Sequence, residues 1–149
     1  METERKDQRY IDNQKKWAAV LNPKVSAGRL MNALAECATS FGALIGNNED
    51  LGLGHYEDNK GDHLALISKF PYIILRAKNG NQLRKLRRSA AEAGLTHNCF
   101  VNTMHGISLV QQQRATREVA EEDLDYIAVV VFGATEKIDP LTKRFRLFD

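Results

Sequence analysis

Cysteine, long apolar runs and an excess of charge of one sign are all scarce in this chain. Only Cys37 and Cys99 occur among the 149 residues, which is too few for a disulfide framework. Each lies in an apolar segment, so we expect reduced, buried thiols and a cytoplasmic protein. No stretch reaches the roughly 20 apolar residues of a membrane-spanning helix. The polar N-terminal segment also lacks the apolar core of a signal peptide, so we expect no membrane anchor.

The charge balance does not indicate a nucleic-acid-binding protein. Lys and Arg number 21 against 19 Asp and Glu, a formal net charge of +2, so any RNA affinity must come from local clustering. The strongest positive cluster consists of Arg76, Lys78, Arg84, Lys85, Arg87 and Arg88. Arg84, Arg87 and Arg88 share a helix face and could contact RNA phosphates. A solvated outer face is the alternative, because no aromatic residues interleave to stack on bases.

Length and patterning predict one α/β domain. A hydrophobic content of 43% is enough for a core of ordinary size, and strands alternate with helices. We expect residues 1–15 to form a loose polar leader and residues 16–149 to form the domain, with a mixed central sheet of about four strands flanked by helices.

Apolar runs and turn residues predict the individual elements. The predicted strands are residues 17–21, 63–68, 72–75, 98–101 and 127–132, with the second and third forming a hairpin or lying side by side. The predicted helices start near Ser26, span residues 81–93 and lie within residues 105–125. Residues 46–61 are rich in Gly, Asn and Asp, which predicts a loop.

The first helix combines an apolar stripe with a narrower polar one. The apolar stripe is Leu30, Leu34, Cys37 and Phe41, at spacings of four, three and four residues. Arg29, Asn32 and Glu36 lie three and four residues apart, so they project from one side of the helix. An ordinary solvent face would look the same, so this stripe is a candidate site only.

The segment HYEDNKGDH contains residue types that can bind a metal, namely His55, Asp58, Asp62 and His63. Their spacing matches neither a calcium-binding EF-hand loop nor a pair of histidines on one helix turn. We therefore expect a polar loop here, with no metal site, and we expect no cofactor.

Three segments together resemble peptidyl-tRNA hydrolases of the second type. They are WAAVLNPKVSAGRLMNALAECA near the start, IILRAKNGNQLRKLRRSAAEAGL in the middle, and YIAVVVFGATEKIDPLTKRFRLF at the end. That family places an Asp after the first strand, a Gly-Lys pair, then a Gln and a His. Here these positions hold Asn22, Gly28-Arg29, Ala33 and Glu36. Asn22 and Asn32 are closer to a functionally uncharacterised sister family.

The resemblance implies a peptidyl-tRNA hydrolase type II-like fold with a polar cleft that binds an anionic or nucleotide-like ligand. The expected ligand-binding residues are Asn22, Gly28, Arg29, Asn32, Asn102 and Thr103. Only Glu36 and His105 could transfer a proton there, because arginine and asparagine cannot act as bases near neutral pH. A diverged hydrolase acting on peptidyl-tRNA or a related ester is one alternative, and an RNA-binding module is another. Relatives with this fold associate, so a homodimer is also expected.

Overall fold

Seven strands and six helices form the part of the chain that the computed structural model describes, residues 11–149. The strands are β1 (Lys15–Leu21), β2 (Leu53–Glu57), β3 (His63–Ser68), β4 (Tyr72–Arg76), β5 (Thr96–Val101), β6 (Tyr126–Ala134) and β7 (Arg146–Leu147). The helices are α1 (Ala27–Thr39), α2 (Phe41–Ile45), α3 (Asn48–Leu51), α4 (Gly80–Glu92), α5 (Leu109–Glu118) and α6 (Thr135–Thr142). Two short 3₁₀ turns span Asn102–Met104 and Glu121–Asp123.

Two apolar segments form the centre of a five-stranded sheet. Residues 17–21 of β1 and 126–132 of β6 are buried throughout, as expected for strands covered on both faces. The strand order is β5-β6-β1-β4-β7, with β1 parallel to β4 and every other pair antiparallel. The predicted mixed α/β architecture is confirmed. The fifth strand was missed because β7 has two residues, too few to show a sequence period.

The two longest helices cover opposite faces of this sheet. α1 buries Leu30 and Cys37 in a cluster with Trp17, whereas α4 buries Leu83 in a cluster with Val20. Side chains alternate along a strand, so residues 17 and 20 of β1 point to opposite faces. The predicted start of α1 near Ser26 and the predicted bounds of α4 are confirmed to within one residue. Phe41, the last residue of the predicted apolar stripe, lies in α2 because α1 ends at Thr39.

The prediction of a loop over residues 46–61 is wrong, and so is the predicted pairing of residues 63–68 with residues 72–75. The supposed loop contains α3 and β2, and β2 pairs with β3 in a separate two-stranded ribbon. β3 has the predicted bounds of residues 63–68. β2 is largely exposed, so it shows no apolar alternation in sequence. β4 instead lies beside β1, where the backbone N–H of Trp17 donates to the Pro71 carbonyl at 2.9 Å.

The ends of the described chain and α5 complete the fold. A helix within residues 105–125 is confirmed, but α5 has no buried residue. Thr135 donates hydrogen bonds to the carbonyls of Asn13 and Gln14, just before β1. Residues 1–10 of the predicted leader lie outside the described residues. Within residues 11–149 no helix is long and apolar enough to cross a membrane.

Candidate functional site

The parallel strands β1 and β4 end side by side, and the helices that follow them cover opposite faces of the sheet. Such a point in an open α/β sheet is where ligands commonly bind. A cavity of about 770 Å³ lies here, beside β7. We call it the basic cavity. Its charged and amide-bearing lining residues are Arg76, Lys78, Gln82, Arg144, Arg146 and Asp149.

Four cations and one side-chain carboxylate line the basic cavity. Arg76 and Arg146 are direct partners across β4 and β7, and like charges in that arrangement destabilise a sheet. Arg76 Nη1 lies 3.4 Å from Asp149 Oδ1, but the two side chains are 44% and 90% exposed, so this ion pair adds little stability. Lys78, Arg144 and Arg146 form no ion pair with another described residue. The cavity therefore has uncompensated positive charge.

The N-terminus of α4 adds to this positive environment. The Asn79 side chain accepts a hydrogen bond from the Gln82 N–H at 3.1 Å, and Gln82 Oε1 accepts one from the Lys78 N–H at 2.8 Å. Gly80 lets the helix approach β6 closely, since a Cβ there would lie 3.0 Å from the Tyr126 carbonyl oxygen. Lys78 and Gln82 therefore line the cavity at the positive end of the helix dipole.

The predicted ligand-binding residues Asn22 and Asn102 follow β1 and β5, and their side chains connect these strand ends to the start of β6. Asn22 Nδ2 donates to the Tyr126 carbonyl at 3.1 Å, and its Oδ1 accepts from the Lys24 N–H at 3.1 Å. Asn102 Oδ1 accepts from the Asp125 N–H at 3.0 Å. Both side chains thus have backbone partners.

The predicted polar stripe of α1 is solvent-exposed. Gly28, Arg29, Asn32 and Glu36 are all exposed, and no side-chain hydrogen bond or ion pair to another described residue is formed by them. Ser26 occupies the N-cap position, as predicted, but its side chain makes no capping hydrogen bond. Glu36 borders a cavity of the described part of the chain. The structure therefore does not bring the predicted cleft residues together in one cavity.

Glu36 lines a second cavity, of about 590 Å³, between α1, β5 and α5. We call it the α1–α5 cavity. Thr103 lies beside it, because its hydroxyl is 2.6 Å from that of Thr116, a lining residue on α5. The cavity thus adjoins two of the residues predicted from sequence.

His105 also lies beside the α1–α5 cavity. Its ring packs edge-on against Phe100, a lining residue, with centroids 4.9 Å apart. His105 Nε2 is shielded from solvent and has no hydrogen-bond partner in the described part of the chain. A buried polar atom without a partner costs about 1–3 kcal/mol, so this histidine is a candidate for a role in binding or proton transfer.

Neither thiol is suited to act as a nucleophile. Burial raises the pKa of Cys37 to about 12, with smaller contributions from Cys99 and Glu36. Burial also raises the pKa of Cys99, although Arg87 opposes the effect. Both cysteines are free, and they pack in clusters on opposite faces of the sheet. The prediction of a thiol buried in the core is confirmed for Cys37, whereas Cys99 is half-buried.

The predicted RNA-binding arginines share one acidic partner. Arg84, Arg87 and Arg88 all lie within 4 Å of the Glu121 carboxylate. Arg84 Nη2 also donates to the Leu124 carbonyl at 2.6 Å, and its side chain is only 15% exposed. Arg84 thus joins α4 to the loop before β6. The positive cluster predicted from sequence therefore lies on two separate surfaces. Arg84, Arg87 and Arg88 surround Glu121, whereas Arg76 and Lys78 line the basic cavity.

The potential metal ligands of the HYEDNKGDH segment lie on the ribbon of β2 and β3 and on its turn. Asp58 Oδ1 accepts hydrogen bonds from the N–H groups of Lys60 and Asp62, at 2.8 and 2.9 Å. The Asp58 carboxylate therefore stabilises the turn. Among residues 11–149 no three metal-binding side chains form a group.

Comparison with known proteins finds a fold and a family without an assigned reaction. The solved structure of a protein of unknown function from Agrobacterium tumefaciens strain C58 matches with a TM-score of 0.78, covering 91% of this chain and 98% of that one. At 17% identity the match shows a shared fold alone. No curated protein matches the chain. A family model described as protein of unknown function (DUF2000) matches residues 15–149. The chain therefore belongs to the DUF2000 family.

Proposed function

We propose that this protein binds a small phosphate-bearing, nucleotide-like anion in the basic cavity, on a peptidyl-tRNA hydrolase type II-like fold. The observation behind the proposal is the set of four cations that line one cavity with a single side-chain carboxylate. Arginine suits this ligand, because its planar guanidinium can donate two parallel hydrogen bonds to phosphate.

The repulsion within the basic cavity supports a ligand rather than a purely structural role. Arg76 and Arg146 face each other across two strands, which costs stability in the absence of an anion. A bound phosphate would relieve that repulsion. The N-terminus of α4, next to Lys78, would also favour a negative charge.

Among the ligand-binding residues predicted from sequence, Asn22 has an indirect role in this proposal. Pro23 lines the basic cavity directly after Asn22, so the hydrogen bonds of Asn22 would position that wall. Ligand contacts by Gly28, Arg29 and Asn32 stay predictions. The same holds for Asn102 and Thr103, and for homodimerisation. The protein would act in the cytoplasm, where its thiols stay reduced.

The test measures thermal stability with ATP or inorganic phosphate for the wild type and for an Arg144→Gln/Arg146→Gln double variant. At a concentration one hundred times its dissociation constant, a ligand stabilises the fold by about 2.7 kcal/mol. For a domain of this size that raises the Tm by roughly 5–10 °C. We expect the rise with the wild type and a much smaller one with the double variant.

Arg114→Gln is the matched control, because Arg114 is exposed on α5 and lies outside the basic cavity. Without ligand, the loss of Arg146 removes the repulsion with Arg76, whereas the loss of Arg144 removes its contact with the Phe145 ring. The ligand-induced shift is therefore measured against the unliganded form of each variant. Equal ligand-induced shifts in the wild type and the double variant would contradict the proposal, as would no shift in the wild type.

A second candidate function is a diverged hydrolase acting on peptidyl-tRNA or a related ester. The unpartnered, shielded Nε2 of His105 supports it, since proton transfer requires a free nitrogen near the substrate. Glu36 is the other candidate acid or base. The test is release of the acyl group from N-acetyl-aminoacyl-tRNA. Turnover that is lost in both His105→Gln and Glu36→Gln would support hydrolysis, and a folded wild type without turnover would exclude this reaction.

RNA binding through α4 is the remaining alternative from the sequence, and the contacts of Arg84 make it less favourable. Arg84 already donates to a backbone carbonyl and to Asn81 Oδ1. Arg87 and Arg88 remain partly exposed beside Glu121. Such binding would weaken steeply with salt, and neutralising these arginines would flatten the dependence.

A further inference from the structure

The α1–α5 cavity exists because α5 does not pack onto the sheet. A surface helix normally buries an apolar stripe, yet α5 has no buried residue. Its main attachment is to the 3₁₀ turn at residues 102–104, reinforced by the shared hydrogen bond of Thr103 and Thr116. Leu109 lines the cavity and is 67% exposed. Space for a ligand is therefore left between α5 and β5.

The lining of this cavity combines an apolar floor with two opposite charges. Cys37, Phe100 and Met104 belong to the floor, where Cys37 and Phe100 are buried and Met104 packs against them. Glu36 borders the cavity from α1 and Arg117 borders it from α5. Neither forms an ion pair with the other or with any other residue that the structure describes. Both charges are thus available to a ligand.

We infer that the α1–α5 cavity is a binding site for a small zwitterion with an apolar body, the chemistry of an apolar α-amino acid. Its ammonium group would pair with Glu36. Its carboxylate would pair with Arg117, because a planar guanidinium can donate two parallel hydrogen bonds to a carboxylate. Its side chain would lie against Phe100 and cover Leu109. A volume of about 590 Å³ is within the usual range for small-molecule sites.

The charges decide between this ligand and simpler ones. A purely apolar molecule would remove water from Glu36 and Arg117 without replacing their hydrogen bonds, which is unfavourable. A simple anion would meet the Glu36 carboxylate, and a simple cation would meet Arg117. A ligand with both charges pairs with both residues at once.

This site is independent of the anion site in the basic cavity, because the two cavities share no lining residue. Failure of either proposal therefore leaves the other standing. It is also separable from hydrolysis, since the measurement below detects binding without turnover.

The test is isothermal titration calorimetry with L-phenylalanine, using N-acetyl-L-phenylalanine amide and glycine as comparison ligands. The first lacks both charges and the second lacks the apolar body. We expect saturable binding of phenylalanine and much weaker binding of either comparison ligand. Glu36→Gln and Arg117→Gln should each weaken phenylalanine binding by about tenfold, the equivalent of about 1.4 kcal/mol.

Glu92→Gln and Arg114→Gln are the matched controls, because both residues are exposed and neither lines this cavity. They remove the same charges from the protein and should leave the affinity unchanged. Circular dichroism checks that each variant is folded. The inference is overturned by an absence of saturable phenylalanine binding to the wild type. Equal affinities in the wild type and the two site variants, or a preference for the uncharged analogue, would overturn it as well.

Discussion

Asn22→Asp tests whether Asn22 holds the loop after β1 in place. The wild-type side chain donates to the Tyr126 carbonyl and accepts from the Lys24 N–H, both at 3.1 Å. A carboxylate keeps the accepting role and loses the donating one. It also places negative charge against the Tyr126 carbonyl oxygen. The substitution changes only one atom of the side chain, so its effect reports on that hydrogen bond.

The expected loss follows from the contact that is removed. A neutral hydrogen bond contributes a net 0.5–1.5 kcal/mol, and a buried acceptor left without its donor costs about 1–3 kcal/mol. We therefore expect Asn22→Asp to lower the free energy of unfolding by about 1–3 kcal/mol at pH 7. For a domain of this size, each kcal/mol lowers the Tm by about 2–4 °C.

Urea unfolding at pH 7, followed by fluorescence, measures this difference. Trp17 is the single tryptophan and is buried between α1 and the sheet, which makes it a suitable probe. Asn32→Asp is the matched control, because Asn32 is exposed on α1 and should change stability by no more than about 0.5 kcal/mol. A loss for Asn22→Asp no larger than that of the control would refute the structural role.

Two further predictions concern a glycine and the thiols. Gly52→Ala should destabilise the fold by at least about 1–2 kcal/mol, because Gly52 has a φ of 65° and its new Cβ would lie 2.6 Å from an aromatic ring carbon. Gly28→Ala should be neutral or should stabilise the fold by up to about 1 kcal/mol, because nothing lies within 4 Å of the new Cβ. If thermal unfolding showed Gly28→Ala to be less stable than Gly52→Ala, the backbone conformation given for these glycines would be wrong. Cys37, whose pKa is about 12, should react with iodoacetamide at pH 8 far more slowly in the native protein than in urea, because the thiolate is the reactive form. Native labelling of Cys37 at the rate of an exposed thiol would contradict its burial.

The elements that could be predicted from the sequence are those with a clear period. The apolar run of β6 and the stripe at Leu30 and Cys37 are local patterns, and both are buried as expected. β2 and β7 were missed because β2 is mostly exposed and β7 has two residues. Neither strand buries enough apolar side chains to leave an alternation in the sequence.

The candidate sites were less accessible to sequence reasoning. The positive cluster that includes Arg76 was recognised, but its division between two surfaces depends on where β4 ends and where α4 begins. Arg144 and Arg146 come from the end of the chain, and only the pairing of β7 with β4 brings them to the basic cavity. The basic run at residues 143–146 was the available indication in the sequence.

The sequence by itself determined one α/β domain, its two central strands and its two longest helices, because burial on a sheet or helix imposes a period on neighbouring residues. Tertiary structure alone decided the two cavities. Arg146 meets Arg76 through strand pairing, and Arg117 borders the cavity of Glu36 because α5 stands away from the sheet. Contacts between segments distant in the chain leave no local period, so they appear only once the chain is folded.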